Sequence, residues 1–308
     1  MQKISSRNTL RIAAASCLTA GVLAVTACGG GVSAGSTTPQ PAAPTDHAVV
    51  DSARSLLPSA VASKGKLTIA VDATSAPDVM LAEDNKTITG WQTDTGRALA
   101  DALGLEAEFV NTSTATIIPG IENGKYDLGM ATFGITPERV KVIDFVGNFV
   151  GGIGFITSKD SNLEFNSIED LCGLSVGVVQ GTMQIDYAEK QSTQCIESGK
   201  PAVDIQQFPD KNQVGLALSS SRSKLAFLDG TMTGYMVKQD PEAYKTIGES
   251  IPLGAAGIQI PKGTGMAEAV RAALQSLMDD GTYKAILDSY GVGEGALTKA
   301  TINDPDVR

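Results

Sequence analysis

The stretch GKYDLGMATFGITPERVKVIDF (Gly124–Phe145) combines a buried strand pattern with a helix start, and both the fold and the site can be predicted from it. Thr136 is a suitable N-cap and Pro137 a suitable first residue, so a helix is predicted to begin there, with free N–H groups that favour an anion. Arg139 lies in that first turn, where a cation opposes the helix dipole. Two interpretations stay open: a salt bridge to an acid such as Asp144, or a receptor for a ligand carboxylate.

Strand and helix patterns alternate on both sides of this stretch. The predicted strands are KLTIAV, EAEFV, YDLGMAT, LSVGVV, AVDIQQF, KLAFLDG and GAAGIQIPK. The predicted helices are TDTGRALADALG, TATIIPGIENG, SIEDLCG, TMQIDYAEKQ, DKNQVGLALSS, MAEAVRAALQSLMDDG and TYKAILDSYG. Such alternation predicts parallel strands joined by crossover helices.

The pattern restarts after FVGNFVGGIGFITSK, which indicates two α/β units rather than one. Glycines near 151–156 and near 254–260 are compatible with hinge strands at both joins. Because the chain crosses twice, the second unit is predicted to be an inserted lobe with a cleft beside it. Ligands of open α/β sheets lie outside the carboxyl ends of the strands, so the cleft is the expected site.

Two further strand ends carry polar groups. VGVVQGTMQ runs from a strand through Gly181 into a helix beginning near Thr182, which is either an ordinary turn or a set of backbone donors for an anion. KLAFLDG places Asp229 before Gly230, as an acceptor for an ammonium group or as a cap of the helix at Thr231. A cation with donors for a carboxylate, plus an anion for an amine, would complement a zwitterionic amino acid.

Composition excludes several functional classes. The 308 residues are 42% hydrophobic, 19% charged and 5% aromatic, with a net charge of −10, which argues against nucleic-acid binding. The only histidine, His47, lies in the N-terminal segment, so the folded part lacks the commonest general base and metal ligand. We therefore expect no cofactor, no metal and no catalytic residues.

The N-terminal segment predicts export. Residues 1–27 have a basic start, an apolar run and VTAC, which resembles a bacterial lipobox with lipidation at Cys28. An ordinary secretory signal with an incidental cysteine is the alternative. Residues 28–55 are rich in Gly, Ser, Thr, Pro and Ala and are predicted to be a flexible tether.

Cys172 and Cys195 are the cysteines of the folded part. In an exported chain such a pair usually closes a disulfide, whereas two separate buried thiols are the alternative.

Taken in order, several segments resemble the extracellular solute-binding proteins, family 3, of polar amino-acid ABC importers, in particular actinobacterial lipoproteins. These segments are GKLTIAVDATSAP, GKYDLGMATFGITPERVKVIDF, SIEDLCGLSVGVVQGTMQ, LAFLDG and MDDGTYKAILDSYG. The resemblance implies a type II periplasmic-binding-protein fold, an α/β fold of two lobes joined by two hinge strands. Lobe 1 would be 56–150 with 256–300, lobe 2 would be 151–255, and 301–308 would be a tail.

The resemblance also implies binding roles. Arg139 would bind the ligand α-carboxylate with help from Thr132, Gly134 and Thr182, and Asp229 would bind the α-ammonium. Residues at or near the positions that shape the side-chain pocket are Asp72, Ser75, Trp91, Thr114, Phe133, Val179, Met183 and Gln184. Each has a structural alternative, such as a turn for Asp72, the lobe core for Trp91 and Phe133, and an ordinary first helical turn for Met183 and Gln184.

Two departures from the family pattern leave the ligand open. Many members have an aromatic near Ser75, and a hydroxyl at Gly134 is common. Asp72 and Asp78 would favour a polar or cationic ligand side chain.

The function implied is a lipid-anchored substrate-binding component on the outer face of the cytoplasmic membrane. It would be monomeric and would deliver a polar amino acid to the permease of an ABC importer. A ligand sensor of the same fold, or an exported dehydratase-like enzyme, are the alternatives.

Overall fold

The structure, a computed structural model, describes residues 47–307, which belong to one compact unit. The helices are α1 (Asp51–Arg54), α2 (Ser59–Lys64), α3 (Trp91–Ala102), α4 (Thr114–Glu122), α5 (Pro137–Val140), α6 (Met183–Glu197), α7 (Lys211–Ser219), α8 (Gly230–Gln239), α9 (Met266–Asp279) and α10 (Thr282–Ser289). Short 3-10 turns lie at Ile168–Leu171 and Gly293–Gly295.

The strands are β1 (Lys66–Val71), β2 (Thr74–Ser75), β3 (Val79–Leu81), β4 (Ile88–Thr89), β5 (Glu106–Asn111), β6 (Leu128–Gly134), β7 (Ile143–Ser158), β8 (Ser175–Val179), β9 (Asp204–Phe208), β10 (Leu225–Asp229) and β11 (Tyr244–Pro261). Eight of them form one sheet in the order β5-β1-β6-β11-β7-β10-β8-β9, and β2, β3 and β4 form a small second sheet. The predicted parallel pairing is confirmed for β1 with β5 and β6, and for β8 with β9 and β10.

The two longest strands, β7 and β11, run antiparallel through the centre of the large sheet. Each exceeds the usual strand length, which is about 5 to 6 residues. The buried hydrophobic side chains form separate groups, and Gly151–Gly152 of β7 lies between them. The groups that contain the part of β7 before Gly151 include Trp91, Phe145 and Leu274, whereas the groups that contain the part after Gly152 include Phe155 and Phe227.

The fold class is therefore as expected: two α/β lobes share β7 and β11 as hinge strands. The pairing of β11 with β7 shifts in register between Pro252 and Ala255, next to Gly151–Gly152 of β7. At Gly254 a Cβ atom would come within 2.3 Å of the carbonyl oxygen of Pro305, so the close approach of the two backbones requires glycine there. The predicted lobe boundaries themselves remain a prediction.

The C-terminal residues pack along the hinge strands rather than hanging free as a tail. The Gly147 N–H donates to the carbonyl of Thr301, and the Ala255 N–H donates to that of Pro305. Val307 is buried in the hydrophobic group around Phe145. Residues 301–307 thus contact both long strands.

The packed chain also begins earlier than the predicted limit of the tether at residue 55. Ala53 on α1 is fully buried, and the Val50 N–H donates to the carbonyl of Ala102 on α3. His47 contacts Asp280 through Nε2 at 2.7 Å. The signal peptide, Cys28 and the rest of the tether lie outside the described residues.

A disulfide joins Cys172, just after the 3-10 turn, to Cys195 on α6. Within residues 47–307 no helix is both long enough and apolar enough to span a membrane.

Candidate functional site

Arg139 lies at a short helix start, as predicted, but α5 is only one turn long. Its own backbone N–H donates to Thr136 Oγ1 at 3.3 Å, so that donor is not free for an anion. A single turn carries little of the helix dipole, which develops over aligned peptide units. Any attraction of the α5 segment for an anion must therefore come from the guanidinium group of Arg139.

The guanidinium of Arg139 bonds to backbone carbonyls rather than to an acid. Nη1 donates to Gly134 O at 3.1 Å, Nη2 approaches Gly181 O at 3.4 Å, and the group lies 4.9 Å from the ring centre of Phe133. Burial lowers its pKa, while the more distant Asp186 and Asp229 raise it. Among residues 47–307 no carboxylate lies within 4.0 Å of it, so the predicted alternative of a salt bridge to Asp144 is wrong; Asp144 pairs with Lys262.

Asp229 is the last residue of β10 and the N-cap of α8, yet its side chain makes no capping bond. Its carboxylate instead accepts from Gln184 Nε2 at 3.0 Å and pairs with Lys211 Nζ at 3.2 Å. The alternative of a turn aspartate that caps the helix is therefore not observed.

Lys211 is a site residue that the sequence analysis missed. It is the first residue of α7, its side chain is 7% exposed, and its Nζ donates to Ser75 Oγ at 2.5 Å. The signal was present, because a lysine directly after the N-cap Asp210 opposes the dipole of α7, which is 9 residues long. Lys211 can be buried because three acids, Asp229, Asp78 and Asp72, compensate its charge.

Asp78 lies behind the pocket and organises its wall. It is 2% exposed and accepts from Trp91 Nε1 at 2.8 Å and from the hydroxyl of Thr132. Burial raises its pKa, against the opposing effects of Lys211, Thr132 and Trp91. The Thr132 hydrogen is thus directed to Asp78, so a role for that hydroxyl as donor to a ligand carboxylate is not supported.

Trp91 belongs to the lobe core, which was the structural alternative. Its side chain is fully buried against Phe149, with ring centres 4.9 Å apart. It reaches the site only through its bond to Asp78.

Asp72 is likewise occupied within the protein. Its Oδ1 accepts from the backbone and hydroxyl of Thr74, and its Oδ2 from the backbone and hydroxyl of Thr114. The carboxylate therefore fixes the loop after β1 to the start of α4, which agrees with the turn interpretation.

The opposite side of the pocket is formed by the start of α6. Thr182 donates its hydroxyl hydrogen to Val179 O at 2.7 Å, so only its oxygen remains to accept. A Cβ atom at Gly134 would lie 3.2 Å from Met183 Sδ, so the thioether leaves little room for a side chain at this position.

One pocket brings together most of the predicted residues. Its walls are Thr114, Ala131, Thr132, Phe133, Gly134, Arg139, Thr182, Met183, Gln184, Lys211 and Asp229. Asp72, Ser75, Trp91 and Val179 are not among the wall residues. The pocket thus presents cationic, anionic and hydrogen-bonding groups together, which suits a small polar ligand.

The sequence of residues 67–293 matches the family described as bacterial extracellular solute-binding proteins, family 3. The chain belongs to this family. This solute-binding protein is 26% identical over 252 residues to an arginine-binding protein of Corynebacterium glutamicum, with 82% of each chain covered.

Solved structures agree with the fold of this solute-binding protein. An ancestral arginine-binding protein bound to arginine is 30% identical with a TM-score of 0.68, and the match covers 74% of this chain and 98% of that one. An ancestral amino-acid-binding protein named as a precursor of cyclohexadienyl dehydratase is 27% identical with a TM-score of 0.63, covering 75% and 97%.

Proposed function

We propose that this solute-binding protein captures an amino acid in the pocket between Arg139 and Asp229 and delivers it to the permease of an ABC importer. The observation that carries the proposal is the guanidinium of Arg139, which lines the pocket without a carboxylate partner among residues 47–307. The planar fork of an arginine, with five N–H donors, matches the geometry of a carboxylate. Named relatives bind amino acids, which supports the same ligand class here.

In this proposal Arg139 binds the α-carboxylate and Asp229 binds the α-ammonium. The first N–H groups of α6, next to Met183 and Gln184 in the pocket wall, add donors for the carboxylate. Thr132 and Thr182 shape the wall rather than donate, since both hydroxyl hydrogens are already directed to protein acceptors.

Closure of the two lobes around the ligand would trap it. Arg139 lies just after β6, whereas Gly181, which its Nη2 approaches, follows β8 beyond the hinge strands. Such contacts exist only when the lobes are together, so a ligand that joins Arg139 to Asp229 favours the closed form. Burial of both charged pairs away from water would strengthen them.

The lipid anchor belongs to the same proposal. Cys28 follows VTA in the sequence, and family 3 proteins act outside the cell. We expect Cys28→Ser to release the protein into the medium, measured by blotting of cell and medium fractions. Retention of the variant on the cell at the wild-type level would contradict the anchor without touching the ligand site.

The binding test uses two substitutions in the pocket. Arg139→Ala and Asp229→Asn should each weaken amino-acid binding more than tenfold in calorimetry, because each leaves a charge unpaired in a closed site, at a cost of about 2–5 kcal/mol. Arg222→Ala is the matched control, since Arg222 is exposed and lies 4.9 Å from the Phe208 ring, the same ring distance as Arg139 has to Phe133.

The test requires that the variants stay folded, which thermal unfolding checks. Wild-type affinity in both pocket variants would overturn the assignment. A loss of affinity of the same size in the Arg222 control would show that the effect is not specific to the pocket.

An enzyme is the second candidate, because one structural relative is named as a precursor of a dehydratase. Asp78, a buried acid that bonds to the wall residue Thr132, is also held by Trp91. We expect no product when the protein is incubated with its amino-acid ligand and the mixture is measured by mass spectrometry. Turnover abolished by Asp78→Asn would favour the enzyme instead.

A further inference from the structure

Lys211 introduces a second fixed cation into the pocket that the proposed function leaves unexplained. Its ammonium pairs with Asp229 and donates to Ser75, while the backbone N–H of Lys211 approaches Thr74 Oγ1 at 3.4 Å. Side chain and backbone thus join α7 to the β2 segment on the other side of the hinge strands. The ammonium is fixed from both sides.

The acids around Lys211 keep it charged. Burial lowers the pKa of Lys211, but Asp229, Asp78 and Asp72 together raise it above its ordinary value. Because Asp78 and Asp72 already accept bonds from other side chains, they neutralise Lys211 from behind and do not line the pocket.

The wall of the pocket presents two cations, Arg139 and Lys211, and Asp229 is the one acid among the described wall residues. A zwitterionic ligand would use Arg139 for its carboxylate and Asp229 for its ammonium, and it would share Asp229 with Lys211. Since Asp72 and Asp78 compensate Lys211 from behind the wall, the case for an anionic side chain rests on the direct contact that Lys211 offers to a ligand.

The hydrogen bonds of the Lys211 ammonium leave one donor for a ligand. An ammonium has three donors, and within the described residues Lys211 directs them to two acceptors, Ser75 and Asp229. A side-chain carboxylate could take the third donor. A cationic side chain, by contrast, would meet both Lys211 and Arg139, and like charges in a poorly solvated site repel strongly.

We propose that Lys211 determines the specificity of this site: it binds the side-chain carboxylate of a dicarboxylic amino acid and excludes amino acids with cationic side chains. The proposal rests on the proposed function and names its substrate class. It also replaces the expectation that Asp72 and Asp78 favour a cationic ligand, since both acids are occupied within the protein and Lys211 lies before them.

The test is calorimetric titration of the wild-type protein with glutamate, aspartate, glutamine, arginine and lysine. We expect glutamate or aspartate to bind at least a hundredfold more tightly than arginine. Lys211→Met, which removes the ammonium group and its charge but keeps an unbranched side chain, should weaken binding of the dicarboxylic ligand at least tenfold and reduce the preference for that ligand over glutamine. Lys224→Met is the control, because Lys224 is exposed and lies in the same half of the sheet.

The outcomes separate the two proposals. Tightest binding of arginine or glutamine by the wild type would overturn the role of Lys211 while leaving amino-acid capture intact. A preference for dicarboxylic amino acids that Lys211→Met leaves unchanged would also overturn the role of Lys211. Failure of every amino acid to bind would overturn both. Should Lys211→Met fail to fold, the wild-type ranking and Lys211→Arg, which keeps the charge and should keep the preference, still decide.

Discussion

At the residue scale, Arg139 and Lys211 are both cations in the first turn of a helix, but only Arg139 was predicted as a site residue. A cation in the first turn of a helix opposes the helix dipole, and this led to Arg139. Lys211, directly after the N-cap Asp210, presents the same conflict. Both cations line the pocket. The acid that compensates Lys211 is Asp229, which lies on β10 rather than on α7.

Tyr290 allows a prediction for a single side chain. Its hydroxyl donates to Asp94 at 2.7 Å, and burial raises the pKa of Tyr290 to about 12. Because the unfolded value is about 10, the neutral phenol stabilises the folded state fully below pH 10 and this stabilisation is lost as the pH rises towards 12. The free energy of unfolding should fall over this range by on the order of 2 kcal/mol from this group.

Denaturant unfolding at pH 8, 10 and 11.5 measures the effect. Tyr290→Phe should show a smaller fall than the wild type, and a residual fall is expected because burial also raises the pKa of Tyr283. Tyr187→Phe on α6 is the control and should behave like the wild type. Identical slopes for Tyr290→Phe and the wild type would contradict the assignment.

At the element scale, segments whose hydrophobic residues recur with a clear helix or strand period were predicted, and segments without such a period were missed. The predicted strands correspond to β1, β5, β6, β8, β9, β10 and the second half of β11, and the predicted helices to α3, α4, α6, α7, α9 and α10. The helix predicted for SIEDLCG is wrong, because this segment forms only a short 3-10 turn. The strands β2, β3 and β4 have only two or three residues, too few to show alternation. The first half of β11 is largely exposed and is held as a strand by pairing with β7.

The disulfide connects two elements and gives a second prediction. It ties Cys172 after the 3-10 turn to Cys195 on α6, 23 residues away. Closing a loop of this length stabilises the fold by about 3 kcal/mol in the chain-entropy treatment. Replacing both cysteines by alanine should lower the free energy of unfolding by about that amount.

The disulfide variant should keep ligand affinity within about threefold, since neither cysteine lines the pocket and such a change is under about 0.7 kcal/mol. Chemical unfolding and calorimetry provide the two measurements, with the single Cys172→Ala variant as control for loss of the bond alone. Two reactive thiols in the native exported protein would contradict the pairing.

At the scale of the whole molecule, the C-terminal segment is part of the hinge. Asn303 Oδ1 accepts from the Phe145 N–H at 2.8 Å, while Ile302 pairs with Val146. Val307 adds a buried side chain. Residues 301–307 therefore cover β7 and also bond to β11 through Pro305.

Ending the chain at Ala300 should lower the free energy of unfolding by about 2–4 kcal/mol, from one lost buried valine and several lost hydrogen bonds. Asn303→Ala should lower it by about 1 kcal/mol, whereas Lys299→Ala, an exposed position just before the segment, should have no measurable effect. Thermal and denaturant unfolding check the series. Equal stability of the truncated and full chains would show that the segment does not support the hinge.

The sequence by itself determined the order of the longer strands and helices, the two-lobed α/β fold and the prominence of Arg139 and Asp229, because each depends on a pattern within a few neighbouring residues. Only the tertiary structure decided what those residues face. Lys211 meets Ser75 across 136 positions of the chain, and Trp91 turns into the core to hold Asp78 rather than into the pocket. Such partners are set by which strand ends the sheet order brings together, and a charge is placed in a buried site only where distant acids compensate it.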